Sequence, residues 1–484
     1  MREVHVTPTK KIALNNALYA GRFGIEIEEH RVQTSSKTLS RHPHPRTLGD
    51  RRIQPYFQTD FSESLEEVVT APKSSSSKAL AHLHELQLML NEELADDEII
   101  WPLSMPPHLT TDDIHFLNTH FDRPWYQEYR DQLLDRYGSF QHIMAGVHVN
   151  FSPADDVMAW YRQRNNITSH SFAKNQLLFQ IAQQVIGYRW ILTYLFGASP
   201  VSENPADNVP TSRHALQPVR SWRASDFGFA NRPEIAVDYT DFQTHVHQIQ
   251  QHIANGDFYD KSEFYGAVRL KAPGNMNDLM NNGAEYMEFR MFDIDPFTQN
   301  GISQDALSFL HLLIIDAIIN PATWGKSTLD NARTRNHVVA LQHPTEQLPD
   351  TAIAYANDLF LRLERIVQSA PISQKNEFQS ALSFARSAVR QPKLTIGAQL
   401  SESIKNESLM IFGLQQGAKI SAQRRQSTWS QNLPDIPKQL QQSYVQAHKL
   451  GFQTLMNPTE NTLKITYNGQ VRTLTSDQDL TQYM

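Results

Sequence analysis

Four separated groups of side chains in this sequence could carry chemistry together: Glu26 with Glu28, the acidic stretch from Asp60 to Glu67, His148, and Glu288. In Phe23-Gly24-Ile25-Glu26-Ile27-Glu28 apolar and acidic residues alternate, so a strand through the segment carries both carboxylates on one face. Carboxylates turned inward need partners, because two of them about 4 Å apart repel by roughly 4 kcal/mol at an effective dielectric near 20. Divalent cations are the natural compensation. Oxygen ligands with a single imidazole suit Mg²⁺, with Mn²⁺ second, better than Zn²⁺, which favours thiolates and several histidines. The chain has no cysteine. The four groups therefore read as one metal site expected to hold magnesium. The competing reading places the acids on separate solvated faces, since spacing alone does not bring residue 26 near residue 288.

A chain of 484 residues exceeds the usual size of one compact core, so two or more packed units are expected. Hydrophobic content of 40% with 20% charged residues describes a soluble globular protein, and a net charge of −7 offers no basic field for nucleic acid. Met1-Arg2-Glu3-Val4-His5 lacks the pattern of a signal peptide, so a cytoplasmic location is expected. The most apolar stretch, Leu307 to Ile319, is interrupted by His311 and Asp316. It falls short of the roughly 20 residues that span a bilayer, so it reads as a buried helix and no membrane partner is expected. Without cysteine there are no disulfides and no thiol catalysis.

The elements that must position these groups come in mixed order. Helices are predicted from Ser74–Ser77 onward through Leu80, Leu83, Leu86, Leu88 and Leu90, and over Thr111–Phe121, Trp125–Tyr137, Lys174–Phe196 and Gln304–Asn320. Strands are predicted at Val147–Phe151, Phe264–Leu270 and Tyr286–Ile294. His42-Pro43-His44-Pro45 belongs to a loop whose prolines exclude helix, and its histidines read as surface residues. The long proline-containing segment Gly197–Asp241 holds Ser221-Trp222-Arg223-Ala224-Ser225-Asp226 and reads as a functional or disordered loop. Beyond residue 336 the pattern is helical, as in Ala352–Gln368 and Gln374–Arg390. A glutamine-rich surface connection is expected near Arg424–Gln442, then a hairpin about Asn468-Gly469. The predicted division is a catalytic domain at 1–335 and a mainly helical part at 336–484 packed on it. Trp324-Gly325-Lys326-Ser327-Thr328 looks like the end of a phosphate-binding loop, but the first glycine is replaced by Asn320 and the preceding segment is helical, so the motif is set aside.

Five ordered blocks carry a resemblance: Gly24-Ile25-Glu26-Ile27-Glu28-Glu29-His30-Arg31-Val32, Thr59-Asp60-Phe61-Ser62-Glu63-Ser64-Leu65-Glu66-Glu67, Trp101-Pro102-Leu103-Ser104-Met105-Pro106-Pro107, Gly146-Val147-His148-Val149-Asn150-Phe151-Ser152, and Glu285-Tyr286-Met287-Glu288-Phe289-Arg290 with Asp293-Ile294-Asp295-Pro296-Phe297. Together they resemble the bacterial glutamate-cysteine ligase family, including the amino-terminal half of bifunctional glutathione-making enzymes. The resemblance implies an α+β, glutamine-synthetase-like fold: a curved, mainly antiparallel sheet forming a funnel, with helices outside it. It implies that Glu28, Asp60 and Glu67 hold one divalent ion and that Glu26, His148 and Glu288 hold a second, with Glu26 and Glu288 open to a third. Glu288 and Arg290 would be catalytic, Arg290 adding positive charge at a transferring phosphoryl group. Arg223 would bind a substrate carboxylate, Tyr129, Tyr265 and Phe61 would shape a cysteine pocket, and Phe229 and Asn150 would complete the substrate-binding set.

The activity implied is ATP-dependent joining of L-glutamate to L-cysteine through a γ-glutamyl phosphate, by a monomer or weak homo-oligomer that stops at the dipeptide. Two departures bear on this. Where the family reads Asp-Leu-Gly-Tyr, this chain has Asp226-Phe227-Gly228-Phe229, and the family's Gln-x-Ile-Ser-Gly becomes His142-Ile143-Met144-Ala145-Gly146 with Gln141 one place away. The first loses a hydroxyl near the acceptor amino acid, so a γ-glutamyl ligase using another amine is the nearest rival, and the second implies altered glutamate binding. A catalytically silent nucleotide- or glutamate-binding regulator is the rival of another class, which retention of all six metal-ligand positions argues against.

Overall fold

Alternation in the first acidic segment produces the strand on which the site is built. The protein is described from a computed structural model over residues 16–121, 123–138, 141–204, 218–232 and 234–484, with the Gln141 side chain left out. The amino-terminal pentapeptide and much of the long loop after Gly197 lie outside these residues. The main sheet contains β1 (Gly21–Gln33), β2 (Phe57–Thr59), β3 (Leu65–Val69), β4 (Glu98–Ile100), β5 (Val147–Pro153), β6 (Val268–Lys271) and β7 (Tyr286–Phe292). Its order is β2-β3-β1-β5-β7-β6, with β4 paired to the end of β1, and these pairings are antiparallel. The α+β, mainly antiparallel architecture implied by the resemblance is thus present.

Register brings the chemistry together. Glu28 lies opposite Glu67 across β1–β3, and Glu26 lies opposite His148 across β1–β5. Glu288 lies opposite Asn150 on one side and Arg269 on the other. The β5–β7 register shifts between Val147 and Val149, an irregularity centred on His148. Such a shift re-aims a side chain, and it does so here at the one imidazole of the acidic group.

The helices His170–Phe196 and Gln304–Ile319 bury most or nearly all of their positions and pack together beneath the sheet. The second contains the buried His311 and Asp316, as expected of an internal helix. One continuous apolar core runs from Phe23 and Ile27 through Trp190 and Phe309 to Leu359, Phe360 and Phe378. The boundary expected at 335/336 falls inside the helix Lys326–Leu341, which packs against His170–Phe196, so no gap in the core separates the two parts. Among the described residues no helix is long and apolar enough to cross a membrane.

Several local expectations are corrected. β6 begins at Val268 rather than Phe264, because a short 3-10 turn over Lys261–Glu263 precedes it. His44 is 5% exposed and its Nδ1 lies 2.8 Å from Glu66, so an internal ion pair overrides its proline-rich setting. Arg424 is also buried, and it donates to the carbonyl of Gln299 at 2.8 Å. The Asn468-Gly469 turn forms with positive φ of 47° and 76°, but it joins β9 (Thr462–Tyr467) to β10 (Gln470–Leu474) in a three-stranded sheet that also contains β8 (Gln453–Asn457). The segment leading into β8 is tied to the residues just before β2. Gln54 donates to the carbonyls of Leu48, His448 and Lys449, and Tyr56 donates to that of Phe452. The phosphate-loop lookalike is structural, since Trp324 lies against Gly187, where a Cβ would meet its ring at 2.1 Å, and Lys326 pairs with Asp238 at 2.8 Å.

Candidate active site

One cavity of about 220 Å³ is lined by Glu26, Glu28, Asp60, Glu67, His148 and Glu288 together with Arg123, Arg130, Arg269, Lys271 and Arg290. The six expected metal ligands therefore share one space, which removes the reading of separate solvated faces. The alternation of β1 supplies two of them, β3 supplies Glu67, and the turn between β2 and β3 supplies Asp60. Ligand atoms of Glu26, His148 and Glu288 all lie within 4.8 Å of one another, and among the described residues this is the only such trio. His148 Nδ1 is 3.5 Å from Glu26 and 3.9 Å from Glu288, while its Nε2 is 3.7 Å from Glu28. Glu28, Asp60 and Glu67 face the same cavity without forming a second trio of that kind.

Electrostatically the cavity is divided. Burial, then the neighbouring charge of Asp60, pushes the Glu28 carboxyl up to about 8 against the opposing pull of Arg223 and Arg290. Burial also raises Asp60, and it lifts Glu67 well above the carboxylate range together with repulsion from Asp60, Glu26 and Glu28. Glu288 behaves in the opposite way. Burial pushes it up, but Arg290, Lys271 and Arg269 outweigh that and hold it well below the usual value. Arg290 lies 3.2 Å from Glu288, Lys271 3.4 Å and Arg269 3.9 Å. Burial, then Arg290, lowers His148 to about 4, so the ring is neutral at physiological pH and has a lone pair to offer. His148 Nε2 and Glu288 Oε2 have no hydrogen-bond partner among the described residues. An oxygen-rich set with one neutral imidazole, three carboxyls raised chiefly by burial and unpartnered buried ligand atoms fits a divalent cation.

The other half of the cavity is aromatic. Phe61, Tyr129, Tyr265 and Phe229 all line it, as expected, and His142 and Leu133 lie among them. Asn150 and Arg223 do not line it. Asn150 Nδ2 donates to Glu26 Oε1 at 2.6 Å and so positions a presumed ligand rather than a substrate. Arg223 is 3% exposed and donates to the carbonyls of Arg290 at 3.2 Å and Phe292 at 3.1 Å. Its guanidinium lies against Gly146, where a Cβ would come within 1.9 Å of it. In this conformation it supports the end of β7 behind Glu28 instead of facing a substrate.

Sequence reasoning missed the cations Arg130, Arg123, Arg269 and Lys271. Arg269 and Lys271 alternate with Val268 and Leu270 on β6, and that two-residue period was the available signal. Arg130, on the helix Gln127–Tyr137, had none. Its Nε donates to the Phe61 carbonyl at 3.0 Å, its guanidinium lies 5.0 Å from the Phe61 ring centroid, and its Nη2 has no partner among the described residues.

The family model described as glutamate-cysteine ligase matches residues 9–261 and 257–339. The glutathione biosynthesis bifunctional protein of Streptococcus thermophilus is 34% identical over 415 residues, covering 84% of this chain and 52% of that protein. Its counterpart in Streptococcus mutans is 33% identical over 401 residues, covering 83% of this chain and 52% of that one. The chain thus spans about half the length of the curated relatives it matches. Among solved structures, a bifunctional glutathione synthetase from Pasteurella multocida superposes with a TM-score of 0.85 at 26% identity, covering 96% of this chain and 61% of its own. A glutamate–cysteine ligase from Francisella tularensis, solved in complex with AMP, shares the fold with a TM-score of 0.74 at 23% identity over 89% of this chain and 92% of its own.

Proposed function

Because the chain belongs to the glutamate-cysteine ligase family, we propose that it joins the γ-carboxylate of L-glutamate to the amine of L-cysteine, converting ATP to ADP and phosphate. The observation that carries this reading is the single cavity in which a crowded carboxyl group, a cationic strand edge and an aromatic pocket meet. Each part matches one requirement of the reaction.

A γ-carboxylate oxygen attacks the terminal phosphorus of ATP and ADP leaves; the acceptor's amine then attacks the resulting acyl carbon, phosphate leaves, and the nitrogen gives up a proton. Phosphoryl transfer is assisted mainly by positioning and by neutralising charge. Glu26, His148 and Glu288 would hold one magnesium or manganese ion and Glu28, Asp60 and Glu67 another, and such ions supply charge neutralisation at the phosphates. Arg290, Arg269 and Lys271 present further positive charge from β7 and β6, with Glu288 orienting all three. Asn150 orients Glu26, and the Gly146 amide orients Glu28 at 3.0 Å. Phe61, Tyr129, Tyr265 and Phe229 would enclose the acceptor and keep water from the acyl phosphate. A cytoplasmic location supplies both ATP and reduced thiol.

The test is ADP release with ATP, magnesium, L-glutamate and a panel of amines, with product masses determined. Cysteine-dependent ADP and the mass of γ-glutamylcysteine are expected; no cysteine-dependent product overturns the proposal. Phe229 favours a second reading, in which another small amino acid is the better acceptor, and the same panel separates the two.

A further inference from the structure

We propose that His142 reads the side chain of the acceptor amino acid, its Nε2 accepting a hydrogen bond from a small neutral donor, a thiol or hydroxyl, within an otherwise apolar pocket. The proposal rests on the ligase reading only in calling the occupant an acceptor.

His142 is the middle residue of the 3-10 turn Gln141–Ile143 and is 4% exposed, yet it lines the cavity. Its ring stacks on Phe61 at 5.1 Å and meets Tyr137, Tyr265 and Phe229 edge-on at 5.1, 5.5 and 6.4 Å. Four aromatic rings therefore fix the imidazole in orientation as well as in place. Its Nε2 is buried and has no hydrogen-bond partner among the described residues. Buried polar atoms are ordinarily satisfied, so a fixed and unsatisfied nitrogen on a ligand cavity points to the ligand as its partner.

The tautomer required is the one with its proton on Nδ1. Tyr265 and Tyr129 share a hydrogen bond, and with Tyr265 as its donor the Tyr265 oxygen keeps both lone pairs. The remaining lone pairs of Tyr265 Oη can accept from His142 Nδ1–H, which lies 3.5 Å away. With the proton on Nδ1, Nε2 is an acceptor. Burial lowers the ring to about 3, so it is uncharged at any working pH.

An acceptor nitrogen among aromatic rings selects its complement. A carboxylate would face the lone pair, an ammonium would lose its hydration among rings, and a methyl would leave Nε2 unsatisfied. A thiol or hydroxyl satisfies it at the lowest desolvation cost. Phe229 supplies no competing hydroxyl at this wall. Arg130, next to the same Phe61 ring, has an unpartnered Nη2 available for the amino acid's carboxylate.

The test uses the full chain with L-cysteine, L-serine and L-2-aminobutyrate, which differ only in carrying a thiol, a hydroxyl or a methyl. Wild type should prefer cysteine to aminobutyrate by about 10-fold in kcat/KM, the scale of one neutral hydrogen bond. His142→Phe keeps the ring stack and removes Nε2, so the ratio should fall to about one through the acceptor KM; His142→Gln, with an amide oxygen, should restore much of it. Calorimetric binding of the same amino acids, without turnover, provides a separate readout. If no amine supports ADP release but binding still discriminates the thiol through His142, the ligase reading falls and this inference stands. A wild-type ratio near one in both assays overturns it, and so does an unchanged ratio in His142→Phe. If that variant does not fold, Tyr265→Phe, which releases the tautomer, must reduce the preference, and failure to do so also overturns the inference.

Discussion

On the β1–β3 pair, neighbouring glutamates face opposite ways, and Glu66 and Glu67 meet opposite surroundings. Glu29 and Glu66 point behind the sheet, while Glu28 and Glu67, one residue along each strand, point into the cavity. Behind the sheet Glu66 lies 2.8 Å from His44 Nδ1 and 2.8 Å from Arg31 Nε, and these hold it below the usual carboxylate range although burial pushes it up. Arg31 in turn reaches Glu98 at 2.7 Å and the carbonyls of His42 and Glu63. In the cavity Glu28 and Glu67 are both raised, and the nearest strong cations gather instead around Glu288. The fold therefore can neutralise buried acids where only stability is at stake. Among the described residues Glu28 and Glu67 have no such cation paired directly to them although cations line the same cavity, an arrangement that a bound cation would complete.

The sharpest way to break this contrast is to neutralise one acid on each side. Glu28→Gln and Glu288→Gln should each lower turnover by at least about 10²–10³-fold, the scale seen when one electrostatic contact to a transition state is lost. Glu28→Gln should melt no lower than wild type at pH 7, since in ion-free protein its carboxyl already carries a proton and the amide replaces one neutral group by another. ADP release and circular dichroism melts read both effects, and normal ADP production by either variant contradicts the site. Behind the sheet, Glu66→Gln should do the reverse. It leaves Arg31 and His44 buried without their anion and should cost about 3–5 kcal/mol in urea unfolding. A neutral result there would mean that the rear network is not what stabilises the strand pair.

A smaller effect sharpens the comparison without mutation. In ion-free protein Glu28 titrates near 8, so at pH 7 it holds its proton, and a cation can bind only after that proton leaves. Magnesium should therefore release protons at pH 7, and its affinity should rise as pH climbs toward about 8. Calorimetry in two buffers of different ionisation enthalpy measures the release, and cation binding with no proton exchange would show that the carboxyls were already ionised. The mildest expected effect lies where the carboxy-terminal part docks. His82 and His448 meet at 3.2 Å, and burial lowers both, His448 to about 4. The unfolded chain protonates them near 6.5 and the folded chain does not, so stability is full above that value and declines as pH falls from about 6.5 toward 4. His448→Asn should flatten that part of the melting-temperature profile, and an unchanged slope would place the acid sensitivity elsewhere.

The cavity acids were legible because strand alternation is local: the two-residue period of Ile25-Glu26-Ile27-Glu28 is enough to place both carboxylates on one face. The helices Ser76–Glu93, His170–Phe196 and Gln304–Ile319 were legible for the same reason. Arg130 was not, because a helical arginine reads as a solvated residue until Phe61, far away in sequence, meets its guanidinium. Arg223 was assigned a substrate role from its residue type, yet only the approach of Gly146 and the end of β7 reveals where its guanidinium goes. His44 looked exposed for want of knowing that Glu66 and Arg31 would surround it.

Residue types and their period alone determined that Glu26 and Glu28 share one strand face, that no protein thiol takes part, and which family the blocks resemble. Tertiary structure decided which acids share one cavity, which of them keep their protons, and which cations stand on which side. Charge interactions depend on through-space distance and burial, and both are set by the pairing register of β1, β3, β5 and β7 and by the shift at His148, none of which a linear spacing encodes.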